Sequence, residues 1–117
     1  MEGLMTNLAG VETSSITADS WEPFVEEGRE MGQVHFLVQK EGGLLAGLWR
    51  TDPEVGAEIP YNVTGSDTFH VQQGEAELET PDGQKIALIA GGLYSFPDGF
   101  SAIWRTRSPF VKFFVIA

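Results

Sequence analysis

Cysteine is absent from this chain, and histidine occurs only twice. Without thiols there are no disulfides, no thiolate catalysis and no zinc–thiolate site, which fits a reducing cytoplasm. Basic residues are scarce too, 7 against 17 acidic ones, leaving a net charge of −10. That balance repels a phosphate backbone and an anionic lipid surface, so neither nucleic acid nor membrane is an expected partner. No apolar run approaches the roughly 18 residues of a membrane-spanning helix. The opening Met1-Glu2-Gly3-Leu4-Met5 also lacks the basic start and long apolar stretch of a secretion signal. A cytoplasmic protein is the expectation. Linker-like Pro-, Ser- and Gly-rich stretches, internal repeats and low-complexity tracts are missing as well, so 117 residues imply one domain with one core.

What the chain does have is strand punctuation. From residue 33 onward, short runs of β-branched and aromatic residues alternate with Gly, Pro, Asp and Asn at the spacing of a sandwich, jelly roll or barrel. Strands are expected over 33–40, 44–51, 59–63, 67–73, 75–80, 85–89, 93–96, 100–106 and 110–116. Glu41-Gly42-Gly43, Thr64-Gly65-Ser66, Pro81-Asp82-Gly83-Gln84 and Pro97-Asp98-Gly99 each supply a glycine for a tight turn. The fold class is therefore all-β. Residues 1–32 read as an N-terminal arm, with an edge strand over Thr13 to Thr17 and a helical turn over Ala18 to Glu27 capped by Asp19 or Ser20. Residues 33–117 make the barrel. Acidic residues crowd the arm, whereas Arg50, Arg105, Arg107 and Lys112 lie on or beside barrel strands. Two readings of these bases stand open: a local positive site, or side chains snorkelling at strand ends.

Side chains alternate between the two faces of a strand, and a barrel buries one of them. Over 67–73, Phe69 and Val71 share a face, with Thr68, His70 and Gln72 on the other, so Asp67 points inward with the apolar set. In the next strand Ala76 and Leu78 lie inside and Glu75, Glu77 and Glu79 in solvent. By the same parity Ile59, Tyr61 and Val63 form one face and Phe100, Ala102 and Trp104 another, all able to line one interior with Asp67.

Asp67, six residues and Gly74, followed by Gly91, five residues, Pro97, one residue and Gly99, resembles the paired motifs of the cupin superfamily. Sixteen residues separate Gly74 from Gly91. The ending from Pro97-Asp98-Gly99 through Trp104 to Lys112 and its apolar strand is similar to the subgroup holding ureidoglycine aminohydrolase and the ethanolamine-utilisation Q protein. The resemblance covers roughly Leu44 to Ile116, and implies a single-domain double-stranded β-helix, a jelly-roll barrel that forms a homodimer. It also implies His, His and Glu in the first motif and a further His in the second. Here those positions hold Tyr61, Val63, Asp67 and Ala102. Valine and alanine cannot ligate, and a transition metal needs about three protein ligands. No metal site and no cofactor are therefore expected, and the subgroup's manganese chemistry does not transfer. Manganese, iron, nickel or zinc would need a non-standard ligand set. His70 faces away from Asp67 by parity, and His35 lies far from the motif.

An inward carboxylate needs partners, because an unpaired charge in an apolar interior costs several kcal/mol. Lys112, on one face with Phe110, Phe114 and Ile116, is a candidate ion-pair partner, and Tyr61 a candidate hydrogen-bond donor. The alternative has Lys112 snorkelling outward and water solvating Asp67. Trp49, Tyr61, Asp67, Trp104 and Lys112 are the candidate ligand-binding residues, and Asp67, Tyr61 and Lys112 the candidate catalytic ones. Tyr61 and Trp104 are assigned to a pocket, Phe69 and Phe100 to the core. Three functions fit: a binder of a small polar metabolite without the usual metal; a lyase, isomerase or hydrolase, either metal-dependent or with Asp67 as base and Tyr61 or Lys112 as acid; or an inert structural or accessory dimer.

Overall fold

The structure, a computed structural model, describes residues 9–117. The stretch read for a secretion signal lies outside those residues. Among them ten strands are formed: β1 (Glu22–Glu26), β2 (Arg29–Gln39), β3 (Leu45–Thr51), β4 (Ile59–Asn62), β5 (Asp67–Gln73), β6 (Glu75–Glu79), β7 (Lys85–Ile89), β8 (Leu93–Phe96), β9 (Ser101–Thr106) and β10 (Phe110–Ile116). Among the described residues no helix is long and apolar enough to cross a membrane. Pairing is antiparallel throughout, in a six-stranded sheet ordered β1-β2-β3-β10-β5-β8 and a four-stranded sheet ordered β4-β9-β6-β7. The two sheets close on one core as a jelly roll.

Alternation decides which side chains fill that core. Val71 on β5 and Leu78 on β6 are both 0% exposed, while Thr68, Gln72 and Glu75 on the opposite faces are exposed. On β10, Phe110, Lys112 and Phe114 are all buried, so a lysine occupies an inward position in an otherwise apolar row. Trp104, Phe69 and Phe110 are the largest fully buried side chains, and they tie β9, β5 and β10 together across the gap between the sheets.

The N-terminal arm differs from expectation. Residues 18–27 form no helical turn; Glu22–Glu26 is strand β1, paired along β2 with a register shift between Phe24 and Val25. Pro23 suits an edge strand, which has one row of backbone donors left unpaired, and β2 begins at Arg29, so the boundary expected at 32/33 falls inside a strand. The edge strand expected over 13–17 is also not formed. Ser15 there accepts the Thr17 amide at its hydroxyl (3.2 Å) and the Ala18 amide at its carbonyl (3.0 Å), a local turn that competes with ladder pairing.

The motif glycines are conformational requirements. Gly74, Gly91 and Gly99 have φ of 86°, 88° and 86°, in the left-handed region that side chains disfavour. Gly74, the single residue between β5 and β6, is also pressed against the Pro109 carbonyl, where a Cβ would collide. Gly83 shares the left-handed φ, at 88°, with nothing within 4 Å of its Cβ position. Gly83→Ala is thus expected to cost about 1–2 kcal/mol, and Gly74→Ala clearly more. Urea unfolding midpoints compare them, and equal losses would contradict the close approach at Gly74.

Candidate functional site

Five strands deliver the polar cluster of the interior. β4 carries Tyr61, β5 Asp67, β9 Trp104, β10 Lys112 and β3 Trp49, with Lys112 registered between Trp49 and Val71. The Tyr61 hydroxyl donates to Asp67 Oδ2 at 2.5 Å, and Lys112 Nζ approaches the same oxygen at 3.5 Å. Asp67 and Lys112 are each 6% exposed, so this ion pair is made out of water. The snorkelling alternative for Lys112 is not what the chain adopts. Asp67 Oδ1 is buried with no hydrogen-bond partner among the described residues.

Aromatic rings surround the ammonium. Lys112 Nζ lies 4.1 Å from the Phe69 ring centroid, 5.0 Å from Trp104, 5.2 Å from Trp49 and 5.4 Å from Tyr61. Ring faces attract a cation, but they replace hydration incompletely. Burial pushes the Lys112 ammonium below its ordinary range, against the pull of Asp67 in the other direction. The Tyr61 phenol moves upward, through burial first and then through the charge and hydrogen bond of Asp67. Tyr61 is therefore a fixed donor, held far from the acidity that a general acid needs near neutral pH.

Beside this cluster lies a cavity of about 290 Å³, and Trp49, Tyr61, Asp67, Trp104 and Lys112 all line it. Phe69 and Phe100 do not, and pack instead in or against the core. The sequence reading missed the wall contributed by Phe24 of β1 and by Met31, Val34 and Phe36 of β2. Phe24 stood in a segment read as helical. The inward parity of Val34 and Phe36 was there to be read.

Among the described residues no arginine lines this cavity. Arg105 bonds Glu58 at 2.9 Å and Glu79 at 2.6 Å, Arg107 bonds Glu77 at 3.0 Å, and Arg50 bonds Gln33 at 2.7 Å while stacking over Trp21. The histidines are engaged elsewhere, His35 with Ser14 and the Ser20 carbonyl, His70 with Gln72. Val63 and Ala102 are buried at interior positions. No group of three or more His, Asp or Glu that could hold a metal occurs among the described residues, and Tyr61 and Asp67 are bonded to each other. This donor set does not fit a transition metal.

Two antiparallel sheets packed on one core, with Val63, Asp67 and Ala102 buried between them, make this a jelly-roll protein. The sequence model of the EutQ-like cupin domain matches residues 38–114, more than half of the chain, which therefore belongs to that family. Solved structures agree on the fold. A putative ethanolamine utilization protein Q of Salmonella typhimurium is 17% identical with a TM-score of 0.63, over 83% of this chain and 93% of that one. The Cnp3 cupin domain of Schizosaccharomyces pombe gives 15% and 0.69, over 90% and 72%. A DUF861 family protein of Thermotoga maritima gives 24% and 0.55, over 60% and 76%. No curated protein sequence matches.

The raised Tyr61 phenol makes alkaline stability a test of the cluster. A group whose proton is held more tightly when folded contributes stability below its unfolded value near 10, and loses it as pH climbs above that value. Urea midpoints should fall more steeply above about pH 10 for the native chain than for Tyr61→Phe. Parallel profiles would place Tyr61 outside a buried hydrogen bond.

Proposed function

We propose that this protein binds a small molecule inside the barrel, at the Tyr61, Asp67 and Lys112 cluster, without the metal of other cupins. One observation carries the reading: a cavity of about 290 Å³ adjoins a buried carboxylate whose Oδ1 has no hydrogen-bond partner among the described residues. An orphaned charged acceptor costs stability unless something donates to it, and a ligand N–H or O–H fits that need. The volume sits at the lower end of small-molecule sites, so the ligand is metabolite-sized. Walls of Phe24, Met31, Phe36, Trp49 and Phe114 change the polarity expected of it. In place of the small polar metabolite expected from the sequence, they favour a mainly apolar molecule with one donor group.

Two other readings have less support. General acid–base chemistry with Tyr61 as acid suffers from the upward shift of its phenol. An inert dimer would fill its barrel with side chains, and the cavity argues against that. The metal-dependent reading lacks ligands at positions 63 and 102.

A thermal-shift screen of small amphiphilic metabolites should yield compounds that raise Tm. Calorimetry of those compounds should show affinity reduced about 10- to 100-fold in Asp67→Asn, the loss of a hydrogen bond to a charged group. Untagged, dialysed protein should carry far less than one equivalent of manganese, iron, nickel or zinc. Stoichiometric metal, or ligands indifferent to Asp67→Asn, would contradict the proposal.

A further inference from the structure

Lysine is an unusual residue to place on a cavity wall among aromatic rings. Its long stem normally carries the ammonium to water, and burying that charge costs several kcal/mol even when paired. Lys112 nevertheless points inward on β10, is 6% exposed and lines the cavity. Among the described residues its one charged partner stands 3.5 Å away, a long contact for a charge-assisted bond, and Tyr61 already donates to the same Asp67 oxygen at 2.5 Å. Asp67 is therefore shared, and the amine is held in place without being saturated.

We infer that Lys112 is a carbonyl-reactive amine, which condenses with an aldehyde or ketone ligand in the cavity to form an imine. The inference rests on the reading of the barrel as a small-molecule site, and assigns the ligand's reactive group. In the step, the ammonium proton passes to the Asp67 carboxylate and the freed Nζ lone pair adds to the carbonyl carbon. The second N–H proton and the proton held by Asp67 go to the carbonyl oxygen, which leaves as water as C=N forms. The third proton stays on nitrogen, so one carbonyl and one ammonium give one protonated imine and one water, with Asp67 again a carboxylate and no redox partner. Tyr61, which keeps its proton, steadies the Asp67 carboxylate through the exchange. The apolar rings serve the same end, since a poorly hydrated amine gives up its proton more readily.

The chain offers its own controls, because Lys40 and Lys85 are exposed. Native protein is incubated at neutral pH with benzaldehyde or butanal and cyanoborohydride, and peptides are mapped by mass spectrometry. In parallel, binding of the same aldehydes without reductant is followed by tryptophan fluorescence. The expected result is saturable alkylation of Lys112 at least about ten-fold faster than at Lys40 or Lys85, which have no cavity to gather the aldehyde beside them. Lys112→Arg, which keeps a cation on β10, should lose that adduct and retain the slow labelling elsewhere. Saturable fluorescence binding with labelling confined to Lys40, Lys85 and the N-terminus would overturn the imine and leave the binding site standing. Neither binding nor Lys112 labelling would overturn both.

Discussion

A carboxylate on β5 and an ammonium on β10, both shut away from water, set the terms for the rest of this barrel. Bringing two such charges into an apolar interior costs more than their attraction commonly returns, and the depressed ammonium of Lys112 says that the cost is not fully met. Everything around the pair reduces it. Tyr61 is aimed across from the other sheet to donate to Asp67, and rings from β3, β4, β5 and β9 turn toward Nζ. Trp104 is locked in turn by its indole N–H, which donates to Thr106 at 3.0 Å. A stable barrel alone would be better served by leucine and phenylalanine at 67 and 112. Charges kept at a cost to stability are where function is to be sought.

This arrangement also explains how a cupin interior can dispense with the usual ligand positions. Position 61 carries a phenol that bonds position 67 directly, while 63 and 102 carry small apolar groups buried in the wall. A metal would hold such an interior by bonds to several strands. Here Asp67 is the hub, with bonds to β4 and β10. The groups this interior presents are a donor, an acceptor and an amine.

Much of this was legible in the sequence, because strand parity is a local rule. The alternation of Asp67, Phe69 and Val71 gave the inward carboxylate, while Lys112 shared a face with Phe110 and Phe114 on a strand apolar on both sides, which left its direction open. Turn glycines marked the strand ends between 41 and 99, and β5, β7, β8 and β10 run over the expected residues. The arm was not legible. Glu22-Pro23-Phe24-Val25-Glu26 has no helical or strand period of its own, and becomes β1 only by pairing with β2, a tertiary event with a register shift inside it. The cavity wall from Phe24 and Met31 was lost with it. Nor does a sequence state how far apart two sheets stand, and that distance separates a filled core from a cavity.

The account depends on Asp67 and Lys112 acting as one buried unit, and a double-mutant cycle in urea unfolding tests that most directly. Asp67→Asn alone leaves an unpaired buried cation, a loss of about 3–5 kcal/mol. With Lys112→Met added, the chain should regain most of that stability, so that the double variant is far more stable than the sum of the two single losses. Losses that add to within about 0.5 kcal/mol would show two independent residues, and would contradict the account.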